Sequence, residues 1–280
     1  MSETKIDTSG TKAGTSGTKA GAGETKAGLS ATGAGARETR VALVTGANKG
    51  IGYEIAAGLG RLGHRVGVGA RDAARGEAAV TALRAAGVDA FAVPLDVTDD
   101  RSVTAAAELV ERLAGRLDAL VNNAGISGAT GPGWLQDPTA LDLDEVRAVL
   151  DTNVLGVVRV TNAMLPLLRR SAAPRIVNVS SSVGSLARQA DPDTEVGPVM
   201  AAYAPSKSCL NALTLQYARQ LAGTGVLINA ACPGLVATDF TGFHGPRTPA
   251  QGAATPIRLA TLPDDGPTGC FFEDDGVVPW

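Results

Sequence analysis

The chain has 280 residues, of which 44% are hydrophobic, and its 25 basic and 28 acidic residues give a formal net charge of -3. This length and apolar content are sufficient for a large buried core. The near balance of charge gives no reason to expect a nucleic acid or a membrane surface as partner, and no apolar run reaches the roughly 18 residues that a membrane span needs.

The first 37 residues form a repetitive tail, in which TSGTKAG at residues 8–14 is repeated at residues 15–21 and echoed at residues 24–28. Because this segment is poor in large apolar side chains, it cannot offset the entropy lost on ordering. We predict a disordered tail over residues 1–37 and a single domain over residues 38–280, and a tethering role for the tail is left open. The tail lacks the apolar core of a secretory signal, and no arginine precedes Arg37, which argues against a mitochondrial presequence.

Three cysteines, Cys209, Cys232 and Cys270, are an odd number and show no metal-ligand spacing. We interpret them as buried free thiols in a reducing compartment. The prediction is therefore a cytoplasmic protein without a metal site.

From Arg40 onward, short Val/Ala/Leu runs alternate with longer helical patterns, as in a parallel sheet that is buried on both faces. Strands are predicted near residues 41–44, 65–69, 90–94, 119–122, 175–179, 226–231 and 270–273. Helices are predicted near residues 51–62, 73–86, 99–114, 144–170, 202–222 and 249–262. The alternation predicts an α/β fold, a single doubly wound (Rossmann) domain with a seven-stranded parallel sheet, helices on both faces and a ligand site at the carboxyl ends of the strands.

A glycine-rich turn, TGANKGIG at residues 45–52, follows the first strand and leads into a helix. Gly46, Gly50 and Gly52 allow the backbone to approach a pyrophosphate closely, while the helix N-terminus supplies amide donors and a positive dipole. The strand before the turn and the helix after it favour a nucleotide site over a tight turn without a ligand.

The end of the second strand bears on which nucleotide binds. An acidic residue there contacts the ribose of NAD, whereas a cation contacts the 2′-phosphate of NADP. Asp72 fits the first case but also suits the N-cap of a helix beginning near Ala73. Arg71 lies one position closer to the strand, Lys49 adds a second positive group and Arg75 a weaker third. These charges favour NADPH, and the alternative is that they are solvated surface charges.

The next two strands also end in polar or small residues. Asp96, after the third strand, can accept a hydrogen bond from an adenine amine. Asn123, Ala124 and Gly125 follow the fourth strand, where small residues let a cofactor lie across the sheet edge and an Asn side chain can satisfy exposed backbone groups. A plain strand-to-loop turn is the alternative.

Two further polar positions stand out. Asn153 lies among apolar residues inside a predicted helix, where Asn is unfavourable and a buried amide needs partners. It therefore either lines a polar cleft or holds two elements together. Residues 180–182 are all serine and follow the fifth strand, where a hydroxyl can hydrogen-bond a substrate oxygen.

Tyr203 and Lys207 are four residues apart and share one face of a predicted helix. A fixed positive charge favours the phenolate, which makes Tyr203 a better proton donor or acceptor near neutral pH. This is the chemistry of moving a proton to or from an alcohol or carbonyl oxygen, although the same spacing also occurs in ordinary surface helices.

In combination, TGANKGIG, NNAG, Asn153, NVSSSVG, YAPSK and PGLVAT resemble the short-chain dehydrogenase/reductase family over the chain from Arg40 to its end. The glycine turn, GARD after the second strand, ACPG and the ending at Trp280 resemble its NADPH-dependent carbonyl reductase branch.

The resemblance implies that Ser181 orients a carbonyl, Tyr203 donates a proton and Lys207 holds the nicotinamide ribose and lowers the tyrosine pKa. It also implies that Asn153 supports a water relay, and it selects Ser181 as the second serine of the pair beginning two residues after Asn178. The predicted cofactor-binding residues are Gly46, Asn48, Lys49, Gly50, Ile51, Gly52, Arg71, Asp96, Val97, Asn123, Ala124, Gly125, Tyr203, Lys207, Pro233, Gly234, Val236 and Thr238.

Ser181 and Tyr203 are 22 residues apart, more than in many members of the family, and the extra segment, residues 185–202, is predicted at the mouth of the site. Substrate preference is assigned to residues 126–142, 185–202 and 239–249. Trp134, Phe240 and Phe243 form an apolar pocket wall in one interpretation and pack under the loops in the other. His244 is predicted to be an exposed loop residue.

The predicted function is hydride transfer from NADPH to the ketone or aldehyde carbon of a hydrophobic small molecule. One alternative is an NAD(P)-dependent alcohol dehydrogenase that works in the oxidative direction, with NAD bound through Asp72. Another is a non-catalytic NADPH-binding regulator, which has no need of a proton donor such as Tyr203. Monomer and homo-oligomer are both left open.

Overall fold

The central element of the protein is a mostly parallel β-sheet. The computed structural model describes residues 39–129, 134–195 and 197–280. The predicted disordered tail lies outside the described residues. The strands are β1 Val41–Val44, β2 Arg65–Ala70, β3 Ala90–Pro94, β4 Ala119–Asn122, β5 Arg175–Val179, β6 Leu227–Ala231, β7 Phe271–Glu273 and β8 Gly276–Val277. Their spatial order is β3-β2-β1-β4-β5-β6-β7-β8.

Helices connect the strands. They are α1 Gly50–Arg61, α2 Ala73–Ala85, α3 Asp100–Ala114, α4 Leu143–Leu150, α5 Gly156–Leu168, α6 Leu186–Ala190, α7 Tyr203–Gln220 and α8 Pro249–Ala260. In α2, α3 and α4 the N-cap is an aspartate whose carboxylate accepts from a backbone N–H of the first turn, namely Asp72, Asp99 and Asp142. The predicted N-cap role of Asp72 is confirmed.

Both faces of the sheet are covered, which explains why its strands read as continuous apolar runs. Ala42 and Val44 of β1 face a core built with α1, α2 and α8. Val41 and Leu43 face a second core built with α3, α5 and α7. The β1 residues are at most 5% exposed, so a polar residue at any of them would be buried without partners.

In the described part of the chain, the sheet has eight strands, one more than the seven parallel strands predicted from the sequence. Strands β1 to β7 are parallel, and β8 is antiparallel to β7, with Phe272 opposite Val277. The two residues of β8 are too few to show an alternating pattern. The clue in the sequence is the run Asp274-Asp275-Gly276, whose residue types favour turns and whose two aspartates form the loop between β7 and β8.

The helix predicted over residues 144–170 is also interrupted. A π-helical stretch, Asp151–Leu155, separates α4 from α5. It contains Asn153, whose unfavourable helix propensity was noted above and whose carboxamide hydrogen-bonds the backbone of Ile126. Such widened turns are frequent at functional sites.

The sheet topology places a crevice at the ends of β1 and β4. Strand β1 pairs with β2 on one side and with β4 on the other, so the strand order reverses at this point. Ligands of doubly wound sheets bind outside the carboxyl ends of the strands at this reversal.

Candidate functional site

A cavity of about 1060 Å³ lies at the carboxyl ends of the strands, and its walls come from the turns that follow β1 to β6. This volume is at the upper end for small-molecule and cofactor pockets. Every predicted cofactor-binding residue lines the cavity, as do Ser181, Tyr203 and Lys207, whereas Asn153 does not.

The glycine turn exposes backbone atoms to the cavity that no side chain covers. Gly46 and Gly50 have φ values of +63° and +58°, which L side chains rarely adopt. Gly52 is required by crowding, because a Cβ there would lie 2.4 Å from the Gly46 carbonyl oxygen and 2.5 Å from Nδ2 of Asn123.

The N-terminus of α1 faces the same space. Lys49 occupies the N-cap position without a side-chain capping hydrogen bond, and Gly50, Ile51 and Gly52 line the cavity. The first N–H groups of a helix have no partner within the helix, and its dipole is positive at this end. The arrangement is suited to bind a phosphate group.

Thr45 and Asn123 connect the glycine turn to the turn after β4. The Thr45 hydroxyl accepts hydrogen bonds from the backbone N–H groups of Asn123 and Ala124, both at 2.9 Å. The Asn123 amide donates to the carbonyl oxygens of Thr45 and Gly46 at 2.9 and 3.2 Å. The role of an Asn that satisfies backbone groups was predicted from the sequence, whereas the role of Thr45 was not. Thr45 could have been identified as a polar residue directly after a buried strand.

The charged groups near the end of β2 are arranged in two sets. Arg71 is exposed and lines the cavity, and Lys49 Nζ lies 3.0 Å from a carboxylate oxygen of Asp239 in the same lining. Both members of this ion pair are about half exposed, so it is weak. Arg75 is instead 3.5 Å from Asp72, which caps α2, and neither of them lines the cavity.

Asp96 is held in its ionised form at the end of β3. Burial acts to raise the pKa of its carboxyl, but hydrogen bonds from Thr98 outweigh this and lower the pKa below its ordinary value, with a contribution from Arg71. The Thr98 backbone N–H and hydroxyl donate to one carboxylate oxygen at 3.0 and 2.7 Å. The other carboxylate oxygen can accept from a ligand.

Ser181, Tyr203 and Lys207 meet in the middle of the cavity. Ser181 follows β5, while Tyr203 and Lys207 lie on the first turns of α7. Lys207 Nζ donates to the Val179 carbonyl at 2.8 Å and lies 5.6 Å from the centre of the Tyr203 ring. The Tyr203 phenol hydrogen-bonds with Ser181. A small ligand here can meet two hydroxyl groups and one amine.

Burial governs the protonation of Tyr203 and Lys207, which are 9% and 4% exposed. Burial raises the pKa of Tyr203 well above its ordinary value, and the hydrogen bond with Ser181 offsets only part of this rise. Burial likewise lowers the pKa of Lys207 to about 8. The direction for Tyr203 is opposite to the predicted lowering, because desolvation of the phenolate dominates.

The shifted pKa of Lys207 should make stability depend on pH. Between the folded pKa of about 8 and the unfolded value of 10.5, the unfolded chain binds the additional proton, so stability rises with pH. Lys207→Met removes this contribution. We therefore expect the difference in unfolding free energy, parent minus variant, to rise by about 1 to 3 kcal/mol from pH 7.5 to 10. Urea unfolding at several pH values measures it, and a difference independent of pH would contradict the shift.

Asn153 holds the loop after β4 against α7. Its Oδ1 accepts from the Ile126 N–H at 2.9 Å, and its Nδ2 donates to the Ile126 carbonyl at 2.8 Å and to Ser206 Oγ at 3.0 Å. Its side chain thus has the holding role, one of the two interpretations above. A Cβ at Gly125 would lie 3.2 Å from Asn153 Oδ1 and 3.7 Å from Lys207 Nζ, so Asn153 lies directly behind the cavity wall. The water relay remains a prediction.

An aromatic wall lies beside the Tyr203 phenol. The Phe240 ring centre is 5.4 Å from that of Tyr203 and 6.5 Å from that of Trp134. Phe243, predicted as a third member, is 68% exposed, has a left-handed backbone and does not line the cavity. His244 is exposed, as predicted, and also lines the cavity.

The segment of residues 185–202 contributes Glu195, Gly197, Pro198 and Met200 to the lining. Its first part is held by the end of the chain. Ser185 Oγ donates to the Pro279 carbonyl at 2.6 Å, and the Ala187 N–H donates to the Trp280 carbonyl at 2.9 Å. The substrate side of the cavity is therefore built from sequence-distant segments.

The three cysteines are free, but the prediction that all are buried is correct only for Cys232. Cys209 shares the solvent-facing side of α7 with Pro205 and Ala212, whereas Cys232 is buried and Cys270 half-buried. Among the described residues, no group of three or more His, Cys, Asp or Glu is placed to hold a metal ion. In the same part of the chain, every helix is too short or too polar to cross a membrane.

The chain is similar to known proteins in sequence and in fold. The family model described as short chain dehydrogenase matches residues 40–247. Carbonyl reductase (NADPH) 1 of Sus scrofa is 37% identical over 86% of this chain and 94% of its own. The structure of salutaridine reductase from Papaver somniferum has a TM-score of 0.73 and 32% identity, covering 84% of this chain and 99% of that one. Actinorhodin polyketide ketoreductase with NADPH has a TM-score of 0.72 and 29% identity, covering 84% and 95%.

Proposed function

Because the chain belongs to the short-chain dehydrogenase family, we propose that it is an NADPH-dependent carbonyl reductase acting on a hydrophobic small molecule. The observation that carries this proposal is the meeting of Ser181, Tyr203 and Lys207 in one cavity with the glycine turn. The relatives named for NADPH support the choice of cofactor.

The residues present fit NADPH. The N-terminus of α1 and the bare backbone of Gly46 and Gly52 would hold its pyrophosphate. Lys49 and Arg71, which line the cavity near the ends of β1 and β2, would contact the 2′-phosphate, whereas Asp72 is occupied as the N-cap of α2 and does not line the cavity. This arrangement supports NADPH over NAD.

When bound, NADPH supplies the hydride, and the protein supplies the proton and the orientation. In the proposed mechanism, the Ser181 hydroxyl donates to the carbonyl oxygen and stabilises the negative charge that develops on it. Tyr203 transfers its phenolic proton to that oxygen. Lys207 lies beside the ring, where its ammonium stabilises the phenolate that remains.

An assay of NADPH oxidation with ketones, quinones and aldehydes tests the proposal. We expect turnover with NADPH at equal concentrations to exceed that with NADH by about tenfold or more, since a lost charged contact amounts to at least 1.4 kcal/mol. NADPH binding without turnover on any carbonyl would instead support a regulator, and a preference for NAD with alcohols would support the oxidative dehydrogenase.

The aromatic wall predicts a preference for aromatic carbonyl compounds. Phe240→Ala should lower kcat/KM for an aromatic ketone by about tenfold, because the Phe240 ring, 37% exposed in the free protein, would be covered by the ligand, and burial of such a side chain contributes about 1.5 to 3 kcal/mol. A small aliphatic aldehyde, which does not reach the wall, should be affected far less. Phe243→Ala is the matched control, since Phe243 is exposed and outside the cavity. Equal effects of both variants on the aromatic ketone would contradict the role of the wall.

A further inference from the structure

Helix α7 is capped by a side chain from a distant loop. Its own N-cap residue, Ala202, makes no side-chain capping hydrogen bond. The backbone N–H groups of Ala202 and Tyr203 both donate to Oε1 of Gln136, at 3.0 and 3.2 Å. The next residue, Ala204, donates to the Met200 carbonyl. Gln136 therefore satisfies the first N–H groups of this helix, which no helical partner can reach.

The other end of the Gln136 amide is equally engaged. Its Nε2 donates to the carbonyl oxygens of Ser127 at 2.8 Å and Ala129 at 3.1 Å. The two ends cannot be exchanged, because a flipped amide would place its NH₂ group against backbone N–H donors and its oxygen against carbonyl acceptors. Gln136 is 4% exposed, and its backbone N–H donates to the Val199 carbonyl at 2.8 Å. One buried residue thus connects the loop after β4, the segment of residues 185–202 and α7.

We propose that Gln136 is a positioning residue that sets the location of the Tyr203 phenol and couples it to residues 127–129, which follow the cavity-lining residue Ile126 in the loop after β4. Gln136 does not line the cavity, so it acts through Tyr203 and not on the substrate itself. Tyr203 is the first residue of α7, where a helix end without a cap frays. A misplacement of reacting groups by about 1 Å lowers a rate by about 100-fold. The inference rests on the proposed function and adds a residue to it.

Two substitutions test the acceptor and the donor groups of the Gln136 amide separately. Gln136→Met keeps a similar side-chain length but removes both the acceptor and the donors. Gln136→Glu keeps an acceptor for Ala202 and Tyr203 but removes the donors to Ser127 and Ala129. Gln216→Met is the control, because Gln216 lies on the exposed side of the same helix.

For Gln136→Met we expect kcat to fall by about 10- to 100-fold with an unchanged KM for NADPH. The isotope effect with 4-deuterated NADPH should increase, since the chemical step becomes rate-limiting. For Gln136→Glu we expect kcat to stay within about threefold of the parent value. The KM for the carbonyl substrate should rise, because the loop that carries the lining residues Ile126 and Trp134 loses its hydrogen bonds at Ser127 and Ala129. Parent values of kcat and of the isotope effect in Gln136→Met would overturn the proposal, as would equal losses of kcat in both variants.

A measurement that needs no turnover keeps this test separate from that of the proposed function. Hydrogen exchange of a peptide covering residues 202–207 should be faster in Gln136→Met than in the parent, and parent-like in Gln136→Glu and Gln216→Met. If the parent protein reduces no carbonyl, the proposed function fails, yet this exchange pattern still supports the cap. Unchanged exchange of residues 202–207 in Gln136→Met would overturn the cap itself.

Discussion

Tyr203→Phe should abolish carbonyl reduction and leave NADPH binding close to that of the parent. Phenylalanine keeps the ring that packs on Phe240 at a centre distance of 5.4 Å but loses the hydroxyl that hydrogen-bonds with Ser181. A positioned general acid contributes about 100- to 10,000-fold to a rate, so we expect kcat to fall by at least about 100-fold. NADPH fluorescence titration and steady-state kinetics measure the two effects separately.

Tyr217→Phe is the matched control for this variant. Tyr217 lies on the same helix, and its hydroxyl donates to Asn162 at 2.8 Å, away from the cavity. Loss of that surface hydrogen bond should leave kcat within about twofold of the parent value. If Tyr203→Phe reduced carbonyls at the parent rate, Tyr203 would not be the proton donor.

Gly52→Ala should weaken NADPH binding strongly. The added Cβ would lie 2.4 Å from the Gly46 carbonyl oxygen and 2.5 Å from Asn123 Nδ2. Neither contact can be relieved by a flexible side chain, because one atom is backbone and the other is held by hydrogen bonds to the turn itself. Overpacking of this kind costs about 1 to 3 kcal/mol and shifts the backbone. We expect the Kd for NADPH to rise by about 100-fold, as measured by calorimetry.

Gly76→Ala provides the same chemical change away from the cavity. Gly76 lies inside α2, and its added Cβ would contact only the Ala70 side chain, at 3.2 Å. Since Ala is favoured over Gly in a helix by about 1 kcal/mol, we expect a folded protein with parent-like NADPH affinity. Parent-like affinity in Gly52→Ala as well would show that the glycine turn does not bind the pyrophosphate.

Most of the fold was predictable because a sheet that is buried on both faces has strands that are continuous apolar runs in the sequence. Strands such as β1 are apolar at every position, and aspartates such as Asp72 mark helix starts. Cavity-lining residues such as Gly46, Asp96 and Ser181 were predictable because they follow strand ends, which a parallel sheet brings together. Tyr203 and Lys207 lie on α7 instead, and they were singled out by their spacing of four residues and by the family resemblance.

The features that could not be predicted depend on tertiary contacts. The cap on Tyr203 comes from Gln136, which is 67 residues away in the chain and lies in a loop without a periodic pattern. The pKa of Tyr203 depends on how deeply α7 is buried, and this reverses the direction expected from Lys207 alone. Phe240 and Phe243 are three residues apart in one loop, yet only Phe240 lines the cavity, and the sequence of a loop does not show which of its side chains faces a cavity.

Transfer of deuterium to a carbonyl substrate from NADPH that carries deuterium at both C4 positions tests the central claim most directly. The parent protein and Tyr203→Phe would each be incubated with the labelled cofactor and an aromatic ketone, and the product alcohol analysed by mass spectrometry. The account predicts deuterium on the carbinol carbon with the parent protein and almost none with Tyr203→Phe. Deuterium transfer at equal rates by both proteins, or no transfer by a parent protein that binds NADPH, would contradict it.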